Sequence, residues 1–136
     1  MHDLLAFARQ TLAAQPFSRL LQAQVDVATR EGAVLSVPLR EELMQQNGFA
    51  HGGVVSYLAD NALTFAGGLA LAGPVLTGEF KINYVRPAIG DVLVARASAI
   101  HTGRTQAVCQ AEIFARKGDE EKLVAVAQGT IVRIEA

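Results

Sequence analysis

Residues 45–73 read Gln45-Gln46-Asn47-Gly48-Phe49-Ala50-His51-Gly52-Gly53-Val54-Val55-Ser56-Tyr57-Leu58-Ala59-Asp60-Asn61-Ala62-Leu63-Thr64-Phe65-Ala66-Gly67-Gly68-Leu69-Ala70-Leu71-Ala72-Gly73, and Pro74 closes them. Asn47-Gly48 is a turn signal, and a long helix is expected to start near Gly52. It should end around Gly73-Pro74, with Gly supplying a left-handed C-terminal residue and Pro preventing continuation. Val54 to Ala72 is about as long as a membrane span. Asp60 lies inside it, Ser56, Asn61, Thr64 and the Gly67-Gly68 pair interrupt it, and no Lys/Arg cluster flanks it. These features favour a helix enclosed by protein over a spanning one.

A helix apolar on nearly every side has to be surrounded. The flanking segments provide the material. Leu4, Leu5, Phe7, Ala8 and Leu12 recur at helical spacing, so an amphipathic helix is expected to run to about Gln15, ahead of Pro16. Gln22 to Arg30 alternates Ala23, Val25 and Val27 with Gln22, Gln24 and Asp26. With a turn at Glu31-Gly32 into Ala33 to Pro38, this predicts a first hairpin. Arg40 to Gln46 reads as a short helical turn. After the long helix, four β-like segments follow: Val75 to Tyr84, Asp91 to Thr102, Gln106 to Arg116 and Lys122 to Ile134. Polar Gly-containing turns at 102–104 and 117–121 join them, with a break from Pro87 to Gly90. The expected class is α+β, a strongly curved antiparallel sheet wrapped around one long helix, with an N-terminal helix outside.

The chain has 136 residues, 51% of them apolar and only 18% charged, with 12 Lys+Arg against 13 Asp+Glu. That balance excludes disorder and electrostatic nucleic-acid binding. One domain over 1–136 is expected from the length. So few charges on a small domain predict an exterior partly covered by another subunit. Cys109 is the only cysteine, so no internal disulfide is possible; it reads as a small buried hydrophobe in a cytoplasmic protein. The start of the sequence has no basic region and no unbroken apolar run, unlike a signal peptide.

Chemistry concentrates around the start of the long helix. Gly52-Gly53 costs helix stability, about 1 kcal/mol for each Gly relative to Ala. Without Cβ atoms, the free N–H groups of the first turn can approach a ligand and stabilise negative charge. Close packing of the loop on the sheet is the other explanation of the pair. Asp60, a carboxylate within an apolar helix, demands either a structural partner or a role as base or nucleophile. Gly52 and Asp60 lie roughly 12 Å apart along a helix, too far to act on one small group within a chain. Two antiparallel helices across a two-fold axis would bring Gly52 of one subunit to Asp60 of the other. His51 is read as structural and orienting. His2 and His101 are the only other histidines, and without metal-ligand spacing no metal is expected. No cofactor is expected either, since neither GxGxxG nor GxxxxGK[ST] occurs.

The stretch from Asn47 to Asp60, with His51-Gly52-Gly53 and Asp60 nine residues after the His, resembles the HGG(x)nD signature of hotdog-fold thioesterases of the phenylacetate-degradation (PaaI-like) group. Phe80 to Ala88, Gly90-Asp91 and Thr102 to Thr105 also resemble that family, so nearly the whole chain is covered. The resemblance implies a hotdog sheet, a homodimer often paired into a tetramer, and hydrolysis of acyl-CoA. It implies that the Gly52 N–H polarises the thioester carbonyl and that Asp60 of the opposing subunit activates water or attacks. Thr77 matches the hydroxyl residue that holds the water. Many relatives carry Asn six residues before the His; here that residue is Gln45, with Gln46 and Asn47 beside it, and Gln45 is assigned the role. Asn47, Gly53 and Asn61 are candidate substrate contacts. Arg86 and Arg104, with Lys81, Arg116 and Lys117 behind them, are candidate partners for the CoA phosphates.

Two other functions compete: a non-catalytic acyl-CoA-binding module on the same fold, and an enoyl-CoA hydratase or dehydratase with a His acid/base. Asp60 argues against both, because a pure binder gains nothing from a carboxylate near the acyl carbonyl. Small side chains along the helix at Ala59, Ala62, Ala66 and Gly67 are expected to leave room for an aryl or medium-length acyl group.

Overall fold

The computed structural model describes residues 3–134. Helix α1 (Leu4–Ala13) is capped by the Asp3 side chain, which accepts from the Ala6 N–H at 3.0 Å. Pro16 does more than end it: with its φ preset for a helical first turn, it starts a second short helix, α2 (Pro16–Leu21). Gln22, left-handed at φ 59°, ends α2, so strand β1 (Gln24–Thr29) begins two residues later than the alternation predicts. The alternation itself breaks at a bulge between Val25 and Val27, leaving Val25 buried and Val27 exposed.

Strand β2 (Gly32–Pro38), a 3-10 turn (Glu41–Leu43) and the long helix α3 (Gly52–Leu71) follow. Strands β3 (Val75–Tyr84), β4 (Val92–Thr102), β5 (Gln106–Lys117) and β6 (Glu120–Arg133) complete the chain. All six strands form one antiparallel sheet in the order β1-β2-β4-β5-β6-β3. Its inner face packs against α3, giving the hotdog fold.

Helix α3 seats closely because the residues facing the sheet are small. Ala59, Ala62, Ala66 and Gly67 are fully enclosed, and a Cβ on Gly67 would lie 2.5 Å from Cβ of Ile131. These positions therefore bring helix and sheet together instead of opening an acyl pocket. The helix ends on Ala72, left-handed at φ 57°, one residue before the expected glycine. Arg30 donates to the Leu69 carbonyl at 2.7 Å and Arg133 to that of Leu71, so two cations satisfy the exposed C-terminal carbonyls. Although α3 is long and apolar enough to cross a membrane, 67% of its most apolar window is buried in the fold, as befits a core helix.

The helix is not enclosed on every side. Ser56, Tyr57, Asp60, Asn61, Thr64, Phe65 and Gly68 form a half-buried stripe at i, i+3/i+4 spacing that the sheet does not cover. Beside the stripe runs β3, an edge strand with nothing paired to its outer side among the described residues. Cys109 faces the core, and burial pushes its thiol up to about 11. Gly67→Ala is expected to cost about 1–3 kcal/mol in urea unfolding through overpacking against Ile131.

Candidate functional site

At the start of α3, the turn at Asn47-Gly48 is closed by the Gln45 side chain, whose amide oxygen accepts from the Asn47 N–H, while the Gln45 N–H donates to the Phe49 carbonyl at 2.8 Å. Gly48 takes φ 83°, a conformation that favours glycine. His51 is the N-cap. Its Nδ1 accepts from the Gly53 N–H at 2.8 Å, and its carbonyl accepts from Val54 at 3.0 Å. The Gly53 N–H is thereby spent, which removes it as the expected substrate donor. The Gly52 N–H has no partner among the described residues.

Gly52 lines a cavity of about 400 Å³ together with Gln45, Phe49, Val55, Tyr84 and Arg86. Of the three candidate amides, Gln45 alone reaches this cavity; Gln46 and Asn47 are exposed on the turn. Arg86 stands at the cavity, exposed and free to meet an anion. Arg104 is at the other end of α3, where its carbonyl accepts from Arg133 Nε at 3.4 Å, so within one chain it is remote from Gly52. Arg116 lies 3.7 Å from Glu121, and Lys81 is on the outer face of β3.

Asp60 lies on the uncovered stripe and is half-buried, so it is not the enclosed carboxylate that the apolar sequence around it predicts. Thr77 Oγ1 donates to Asp60 Oδ1 at 2.6 Å. Thr64, one turn further along α3, has its Oγ1 2.9 Å from that of Thr77 and 2.7 Å from the Asp60 carbonyl oxygen. Thr77 has a single proton and gives it to Oδ1, and Oδ2 is left without a protein partner among the described residues. Thr64 is the member of this cluster missed in the sequence. Its i+4 spacing from Asp60 is the signal that could have found it.

A bulge at Gly78 is what aims Thr77. Register shifts between Thr77 and Glu79 opposite β6, so Thr77 faces inward before the bulge and Phe80 and Ile82 face inward after it. An unbroken alternation from Thr77 would turn Glu79 and Lys81 toward the core. Asn61 belongs elsewhere: its amide donates to Tyr57 Oη at 2.9 Å, Gln15 Oε1 at 3.2 Å and Ser18 Oγ at 3.4 Å. Within this cluster Ser18 is 1% exposed and bonds Tyr57 Oη at 2.5 Å, and burial raises the Tyr57 phenol. Asn61 thus ties α2 to α3, and it also lines the groove between α1 and α3.

The sequence model of the thioesterase superfamily matches residues 47–122. The chain belongs to the thioesterase superfamily. A solved thioesterase-family protein from Silicibacter pomeroyi is 35% identical and superposes with TM-score 0.86 over 91% of this chain and 93% of that one. A thioesterase from Haemophilus influenzae is 28% identical, TM-score 0.83, over 97% of this chain and 91% of that one. The PaaI protein of the Escherichia coli phenylacetic acid degradation operon shares the fold at TM-score 0.84 with 22% identity, over 94% of this chain and 91% of that one. Within one chain, the Gly53 N–H bonds His51, Arg104 lies at the far end of α3, Gln45 and Gly52 line one cavity, and Thr77 bonds Asp60. His51→Ala is expected to lower stability by about 1 kcal/mol in urea titration, the usual loss for an N-cap.

Proposed function

We propose that this thioesterase-superfamily member hydrolyses acyl-CoA thioesters in a homodimer whose two sites each combine Gly52 of one subunit with Asp60 of the other. The observation that carries the reading is the Asp60 carboxylate, held at Oδ1 by Thr77 and open at Oδ2, on the half-buried stripe of α3 that the sheet does not cover. Water between Oδ2 and the thioester would lose its proton to Asp60 as its oxygen attacks the carbonyl carbon; direct attack by Oδ2 would start from the same atom. Negative charge then develops on the carbonyl oxygen, where the unpartnered Gly52 N–H and the positive end of α3 stabilise it. Collapse breaks the C–S bond and the sulfur leaves as the CoA thiolate, which takes the proton held on Asp60; after direct attack, water instead cleaves the acyl–Asp60 anhydride and restores the carboxylate.

A carboxylate and an oxyanion donor separated by roughly 12 Å cannot meet in one chain. The half-buried stripe and the unpaired edge of β3 lie side by side and offer a continuous face for a second copy related by two-fold symmetry. Such pairing would also bring Arg104 of one subunit toward the site of the other. A further pairing of dimers fits the exposed apolar residues Phe7, Phe17 and Leu20 on α1 and α2.

For the acyl group, the groove between α1 and α3 is the better candidate. It is about 560 Å³ in volume, its walls include Phe7, Ala8, Phe65, Leu69 and Val75, and Thr64 connects it to Asp60. Its size and apolar lining suit an aryl or medium-length chain. A lone buried thiol at Cys109 is compatible with a cytoplasmic location.

Asp60→Asn should lower thiol release from an acyl-CoA by at least about a thousandfold without changing the dimer mass in light scattering. Gly52→Pro should also inactivate: proline is tolerated at a first helical position, and His51 already has the extended ψ of 138° that a following proline needs, so only the N–H is lost. Co-expressing the two inactive chains should restore roughly half of the wild-type activity per mixed dimer, since one of its sites then has both groups. No recovery in purified mixed dimers would reject the shared site. An acyl-CoA that binds unhydrolysed, or an enoyl-CoA that is hydrated instead, would point to the competing functions.

A further inference from the structure

The Gly52 N–H can act as an oxyanion donor only if its direction is fixed, and the local sequence works against that. Two consecutive glycines have the largest backbone freedom available, and a first helical turn has no preceding carbonyls to hold its N–H groups. Around Gly52 the structure supplies restraints from outside the backbone ladder. On one side His51 Nδ1 accepts the Gly53 N–H at 2.8 Å. On the other, Tyr84 Oη donates to the Gly52 carbonyl at 3.2 Å. The Gly52–Gly53 peptide is therefore held at both of its polar atoms. The Tyr84 ring also lies over Gly52, with atoms 3.6–3.7 Å from where a Cβ would stand.

Tyr84 is itself anchored. It is the last residue of β3 and is paired with Ala125 of β6, and the next two N–H groups, of Val85 and Arg86, both donate to the Val124 carbonyl, at 2.9 and 3.3 Å. The bond thus couples the start of α3 to the rigid end of the sheet. The side chain is nonetheless 54% exposed at the cavity that Gly52 lines, so it adds little to the core.

We propose that Tyr84 is a positioning residue for the reaction, holding the Gly52–Gly53 peptide through its hydroxyl so that the N–H of the adjoining His51–Gly52 peptide points where the oxyanion forms. The proposal rests on the role given above to Gly52. A contribution of this kind appears in the transition state and not in ground-state binding, so it acts on kcat. A purely packing role would be kept by phenylalanine, which retains the ring and loses only the hydroxyl.

The test is Tyr84→Phe in the full-length dimer. Turnover of an acyl-CoA should fall about tenfold in kcat, with KM within about twofold of wild type and an unchanged melting temperature. Independently of activity, 15N relaxation of the Gly52 amide should show its order parameter dropping from the rigid value of about 0.85 toward 0.6. An unchanged order parameter at Gly52, or an unchanged kcat, overturns the proposal. If the wild-type protein hydrolyses no thioester, the function proposed above fails, and the relaxation measurement still decides whether Tyr84 orders Gly52.

Discussion

The contact of Gly67 with Ile131 sets the distance between α3 and the sheet, and the site geometry follows from that distance. With no side chain at 67 and alanines at 59, 62 and 66, the helix lies close enough for an inward-facing hydroxyl on β3 to reach a carboxylate on the helix. The 2.6 Å bond from Thr77 to Asp60 joins α3 to a strand beside it across this approach. A bulkier helix face would lift Asp60 away from the strand. Core packing and site assembly are in this sense one constraint, since residues with no chemistry of their own decide whether Thr77 can touch Asp60.

Much of this was legible in the amino-acid sequence, and what was not has identifiable causes. The long helix, the antiparallel strands and the prominence of Gly52 and Asp60 follow from periodicity, turn signals and the cost of a carboxylate in an apolar run. The exact course of β1 was hidden by a bulge, because period-two alternation carries no mark of an extra residue. In β3 a glycine did mark the bulge, at Gly78, yet its effect on which residues face inward depends on pairing with β6. The small residues of α3 suggested room for an acyl group, and the position of Ile131 against Gly67 shows that they serve close packing.

The site shows a similar division. Residue type singled out Asp60 and the family resemblance Thr77, and the structure brings them together. It turns the Asn61 amide toward Gln15 and Ser18 at the start of α2, and within one chain it carries Arg104 to the far end of the helix. Sequence adjacency to Asp60 says little about function here, because successive helical residues point about 100° apart. His51 illustrates the converse: its value lies in accepting one N–H, which leaves the adjacent N–H as the free one.

The open margin of β3 has a consequence for the cell. Its ten residues present unsatisfied backbone groups in an extended line, and such a line accepts any strand of compatible register. Glu79 and Lys81 place opposite charges along it, a modest deterrent to disordered stacking. Where that border stays uncovered, a high concentration of chains favours edge-to-edge association.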